Sequence, residues 1–94
     1  MASKNQLDDY EQVFWALCHA SRRHILVCLS KHESMLGGAI ADELSCSWPT
    51  TTTHLKTLEK AGLVSARRQG REQIYTLNSK RLNVVENWIK QIKG

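Results

Sequence analysis

Residues 46–64 read CSWPTTTTHLKTLEKAGLV, and they decide the fold. Ser47 is placed to cap a helix, because a serine hydroxyl accepts from a free backbone N–H of the first turn. Pro49 follows where the backbone needs no intrahelical donor. Thr51, Leu55 and Leu58 recur at i, i+4 and i+7, the spacing of a buried helical stripe. Gly62, after Lys60 and Ala61, supplies the stop. The four threonines are the oddity, since β-branched residues lose χ1 freedom in a helix and are mediocre helix formers.

Working outward, the period changes after Gly62. Residues 63–78, LVSARRQGREQIYTLN, have β-forming residues on both sides of a basic centre and predict two short strands joined by a turn at Gly70. A last helix over about 79–93 carries Leu82, Val85, Ile89 and Ile92 at spacings of three, four and three, flanked by Val84 and Trp88. Upstream, Leu7, Tyr10, Phe14 and Leu17 mark a first amphipathic helix over about 6–18. Ser21 is the expected cap of a second helix, SRRHILVCLSKH, broken by ESMLGG, and GAIADELS reads as a short third. Two helices joined by a tight turn and followed by a ribbon make a winged helix-turn-helix. The expected fold is mainly α with a small two-stranded β-wing, in one domain spanning residues 1–94.

Charge points to the partner. The first 47 residues carry four Lys/Arg against six Asp/Glu, and the remaining 47 carry nine against three, so a net −2 half precedes a net +6 half. A basic half suggests a polyanion. Subtracting the buried stripe leaves Trp48, Thr50, Thr52, Thr53, Lys56, Thr57 and Lys60 on the outer face of the fourth helix. Hydroxyls and ammonium groups there suit base edges and phosphates of double-stranded DNA, and a threonine methyl suits a thymine methyl. Arg67, Arg68 and Arg71 around the turn add cations able to reach phosphates or a minor groove. The DNA-binding set read from the sequence is therefore Trp48, Thr50, Thr52, Thr53, Lys56, Lys60, Arg67, Arg68 and Arg71.

These residues bring out a resemblance. ALCHASRRHIL (16–26) and IADELSCSWPTTTTHLKTLEKAGLVSARRQGREQIYTLN (40–78) resemble the ArsR/SmtB-type winged-helix transcriptional repressors over about residues 10–90, with HLKTLEKAGLV the most specific run. The resemblance implies a homodimer on an operator, joined through its first and last helices, and regulation by release from DNA. Trp48, Thr52 and Thr53 depart from the family's frequent Gln, Ser and Arg, so no long side chain is available there for a bidentate base contact. His19 and Ala20 stand where Asp-Pro is usual. The family's metal sensors carry cysteines on the third helix or Asp/His pairs on the last; both helices lack Cys and His here, so neither familiar site can form, and the chain resembles the non-metal branch.

The first and last helices, within 1–19 and 79–94, carry more apolar side chains than one small domain covers, and a dimer seam of Leu7, Tyr10, Phe14, Leu17, Leu82, Val85, Trp88, Ile89 and Ile92 is expected. Neither a cofactor nor a metal is expected. His24, Cys28 and His32 fall at i, i+4 and i+8, but Cys28 sits where the helix calls for a core residue. Cys18 and Cys46 leave a thiol-responsive version open as an alternative, beside a metal-responsive version and a protein-interaction module that does not bind DNA. Three widely spaced cysteines argue against a disulfide framework and fit a reducing, cytoplasmic setting. No apolar run reaches the length of a membrane span, and no arrangement of nucleophile, base and phosphate loop points to an enzyme.

Overall fold

The computed structural model describes residues 4–94, with side chains from Tyr10 onward. The chain runs α1 (Lys4–Leu17), α2 (Ala20–Ser30), β1 (Met35–Leu36), α3 (Gly37–Leu44), α4 (Trp48–Lys60), β2 (Val64–Gln69), β3 (Glu72–Leu77), one 3₁₀ turn (Ser79–Leu82) and α5 (Asn83–Lys93). The expected order of helices is present. The sheet has three strands, not two, in the order β1-β3-β2 and antiparallel throughout. Met35 and Leu36 pair with Tyr75 and Ile74, so the segment expected only to break a helix also closes the inner edge of the wing.

The core lies where α2, α3 and α4 meet the base of the sheet. Val13, Ile25, Leu29, Ile40, Leu55, Leu58 and Leu63 are almost wholly buried, each contributing about 1.5–3 kcal/mol of apolar burial. Thr51 is buried with them, its hydroxyl donating to the Ser47 carbonyl at 2.9 Å. His54 completes that face.

The ends of the helices follow local chemistry. Ser47 caps α4, its Oγ accepting from the Thr50 N–H at 3.4 Å, with Pro49 in the first turn. α2 is capped by His19 rather than Ser21: Nδ1 of His19 accepts from the Ser21 N–H at 3.4 Å. At the far end of α4, Gly62 turns at φ +81°, a left-handed conformation that glycine adopts freely. Arg81 Nε donates to the Ala61 carbonyl at 2.7 Å and Asn78 Nδ2 to the Gly62 carbonyl at 2.9 Å. α4 is thereby held at both ends.

A buried arginine ties α1 to this frame. Arg22 donates from Nε to the Ala16 carbonyl at 2.8 Å and from Nη2 to the Trp15 carbonyl at 2.9 Å, satisfying the open carbonyls at the end of α1. Its guanidinium also lies 5.7 Å from the Trp15 ring centre and 3.4 Å, Nη1 to Nδ1, from His54.

Candidate nucleic-acid interface

α4 and the wing enclose an open groove of about 430 Å³ lined by Trp48, Thr52, Lys56, Glu59, Ala66, Arg68, Gln73 and Tyr75. Trp48, Thr52 and Lys56 succeed one another at i, i+4 and i+8 along α4. Arg68 joins them because it alternates with Ala66 on the same side of β2. Arg67 lies at the adjacent position of the strand, opposite Ile74, and is exposed. Arg71 lies in the two-residue turn with Gly70, whose φ is +63°, and lines a neighbouring recess with Trp48, Gly37 and Glu72. Arg68 is steadied by its Nε donating to the Gly70 carbonyl at 3.1 Å.

The threonines behave otherwise than their exposure suggests. Thr53 donates its hydroxyl to the Pro49 carbonyl at 3.0 Å and Thr57 to the Thr53 carbonyl at 3.1 Å, one helical turn back in each case. The Thr50 Oγ1 accepts from Ser47 Oγ at 3.0 Å. Thr52 is half-buried and its hydroxyl, fully covered, has no protein partner; it is not offered to solvent as the sequence suggested. The hydroxyls of Thr50, Thr53 and Thr57 thus serve the helix first. What remains available at Thr53 is the methyl group and an acceptor lone pair.

Lys60 is exposed but stands outside the groove, bordering Gln12, Trp15, Thr57 and Ala61 on the α1 side. Each i, i+4 step drifts by about 40°, so three steps carry position 60 about a third of a turn from Trp48. Sequence reasoning missed Gln73 and Tyr75, which form the groove's far wall. Burial, then the Glu59 charge, push the Tyr75 phenol above its ordinary value of 10.0, which keeps it neutral.

Behind the groove, His54 stacks obliquely on His19 with ring centres 4.5 Å apart. Burial, then the His19 and Arg22 charges, hold His54 below its ordinary 6.5. Cys28 is half-exposed and so does not fill the core as expected, and His32 is exposed. Burial and then Glu43 raise the Cys28 thiol, with Lys31 opposing.

On the opposite side, α1 packs beside α5. Phe14 meets Trp88 edge-on at 5.4 Å and lies parallel to Tyr10 at 6.3 Å. Together with Trp15, Cys18, Gln91 and, as the one charged residue, Glu11, they line a mainly apolar trough of about 760 Å³. Trp15, Trp88, Ile89 and Ile92 are exposed, whereas Leu17, Leu82 and Val85 pack against the chain's own core. The expected seam residue Leu7 lies outside the described side chains.

Residues 20–71, from α2 to the wing turn, match the model of the MarR family and make up more than half of the chain. The chain belongs to the MarR family of transcriptional regulators. The transcriptional repressor SdpR of Bacillus subtilis is 36% identical over 77 residues, spanning 82% of this regulator and 84% of the relative. Over nearly the whole chain the fold is that of ArsR-type regulators. An ArsR-like regulator from Rhodococcus sp. RHA1 superposes with a TM-score of 0.81 at 27% identity, covering 95% of this chain and 83% of that one. The homodimeric winged helix-turn-helix DNA-binding domain of a possible ArsR-family regulator from Mycobacterium bovis does so with 0.76 at 28%, covering 99% and 90%. Among the described residues no helix is long and apolar enough to cross a membrane.

Proposed function

We propose that this regulator is a sequence-specific repressor that binds an imperfect palindrome as a homodimer, acting by occupancy rather than by catalysis. The observation that carries this reading is the groove in which Trp48, Thr52 and Lys56 of α4 converge with Arg68 of the wing. α4 enters the major groove by its N-terminal half, with Trp48, Thr50 and the Thr53 methyl toward base edges and Lys56 toward phosphate. Arg67, Arg68 and Arg71 grip the flanking backbone, and Lys60 reaches it from the outer end of α4. Two copies joined through α1 and α5, by Tyr10, Phe14, Trp88, Ile89 and Ile92, present two such helices about 34 Å apart, one turn of DNA.

The test is fluorescence anisotropy of the purified chain with a duplex from upstream of its own gene and with a scrambled duplex, at near-physiological salt. The expected result is a preference of about 10³-fold or more for the native fragment. Equal, weak binding to both duplexes overturns sequence specificity at that fragment. No binding to either, with the dimer intact, overturns the DNA reading in favour of a protein-interaction module.

A further inference from the structure

The contact between α2 and α3 holds a cluster that DNA binding does not use. His24 and Cys28 stand one turn apart on α2, so their side chains rise on the same face. Glu43, near the end of α3, reaches the same point. A ring nitrogen of His24, the Cys28 Sγ and a carboxylate oxygen of Glu43 all lie within 4.8 Å of one another. Among the described residues, none of the three side chains is held elsewhere by a hydrogen bond or ion pair. His24 and Glu43 are exposed and Cys28 is half-exposed. The thiol is therefore neither a core residue nor sealed from solvent. His32, two turns beyond His24, does not take part.

We propose that His24, Cys28 and Glu43 bind a divalent ion of borderline softness, with Zn(II) the best match. Donor chemistry makes the choice. A thiolate and an imidazole select against Mg(II) and Ca(II), which take oxygen ligands, while one nitrogen, one sulfur and one oxygen suit Zn(II). Around tetrahedral Zn(II), with bonds of about 2.0–2.3 Å, ligand atoms are roughly 3.3–3.6 Å apart. The three atoms must then close by at most about 1.5 Å, within the reach of side-chain rotation at two exposed residues. Water takes the fourth position. As the S–Zn bond forms, the Cys28 thiol releases its proton to solvent.

The site differs from both metal sites of the resembling family, whose ligands are missing from α3 and α5. An ion here ties α2, which carries Arg22, to α3, the first helix of the helix-turn-helix. It does not depend on the DNA reading, because all three ligands lie away from the α4 groove.

The experiment is titration of the full chain with Co(II), followed by displacement with Zn(II) in competition with a chelator, reading the near-ultraviolet thiolate-to-cobalt charge-transfer band. One ion per chain is expected. The band is lost in Cys28→Ser and retained in Cys18→Ser and Cys46→Ser. His24→Ala and Glu43→Gln each weaken Zn(II) binding by at least about 10-fold, since even the outer partners of metal ligands are worth 10–100-fold. Circular dichroism of each variant establishes that it is folded. A missing band, a band that survives Cys28→Ser, or wild-type affinity in folded His24→Ala overturns the proposal.

Discussion

The α4 groove and the α1/α5 face are both open to solvent, and their chemistry is opposite. The groove joins Lys56 and Arg68 to a helix on which Thr53 and Thr57 donate their hydroxyls to carbonyls one turn back. The α1/α5 face shows Trp15 and Ile92 at 65% and 67% exposure, beside Trp88 and Ile89. Water solvates the first surface well and the second poorly. An apolar patch of this kind marks a macromolecular contact, whereas a cationic groove attracts a polyanion and excludes a like-charged copy. One small domain thus carries a polar, cationic surface and an apolar one on separate faces, with Arg22 and His54 bridging the elements between them.

The largest effect is expected from placing a charge on the apolar face. Trp88→Asp should weaken self-association by on the order of 100-fold, about 3 kcal/mol for a central aromatic anchor, as read by sedimentation. A variant that stays dimeric at the same concentration breaks the division of roles. Next, Arg68→Ala combined with Arg71→Ala should leave the dimer intact but lower affinity for every duplex by roughly tenfold per arginine. The logarithmic salt slope should flatten by about 1.8, at 0.9 per phosphate contact. Loss confined to one sequence would instead make these arginines base readers.

A smaller effect sharpens the account of the threonines. If the methyl of Thr53 is the group presented to DNA, Thr53→Val should bind nearly as well as the parent, while Thr53→Ser should lose about fourfold, roughly 0.8 kcal/mol for one methyl. The reverse order in anisotropy titrations would restore the hydroxyl as the reading group. The smallest change concerns the bridge. His54 titrates below its ordinary 6.5 in the fold, so on acidification the unfolded chain takes up its proton first. Stability is therefore full above pH about 6.5 and declines as pH falls toward the folded-state value. Thermal melts across that window should show a decline that His54→Gln flattens, while affinity of the α1/α5 seam stays unchanged.

The helical order, the Ser47 cap and the Gly62 stop were legible because each rests on local spacing and local backbone chemistry. β1 was not, because Met35 and Leu36 are too few to show a period and acquire strand geometry only by pairing with β3. The His19 cap was missed because an imidazole is an uncommon N-cap acceptor, while Ser21 offered a conventional one. In the site, spacing brought Trp48, Thr52 and Lys56 together correctly, but it could not state which way a threonine hydroxyl turns. That is a rotamer choice, settled by the carbonyl one turn back. Cys28 was read as core from its position on one helix; its neighbour Glu43 comes from another, which spacing along α2 cannot reveal.

Gly37 opens α3 directly beneath Trp48, where a Cβ would stand 2.5 Å from Cη2 and 2.9 Å from Cζ3 of the indole. The first residue of α4 therefore rests on the first residue of α3. A side chain at 37 would dislodge the ring, and a small residue at 48 would leave the glycine uncovered. A residue larger than glycine at 37 therefore displaces the indole at 48, so the surface that α4 presents beside the wing is set in part from α3.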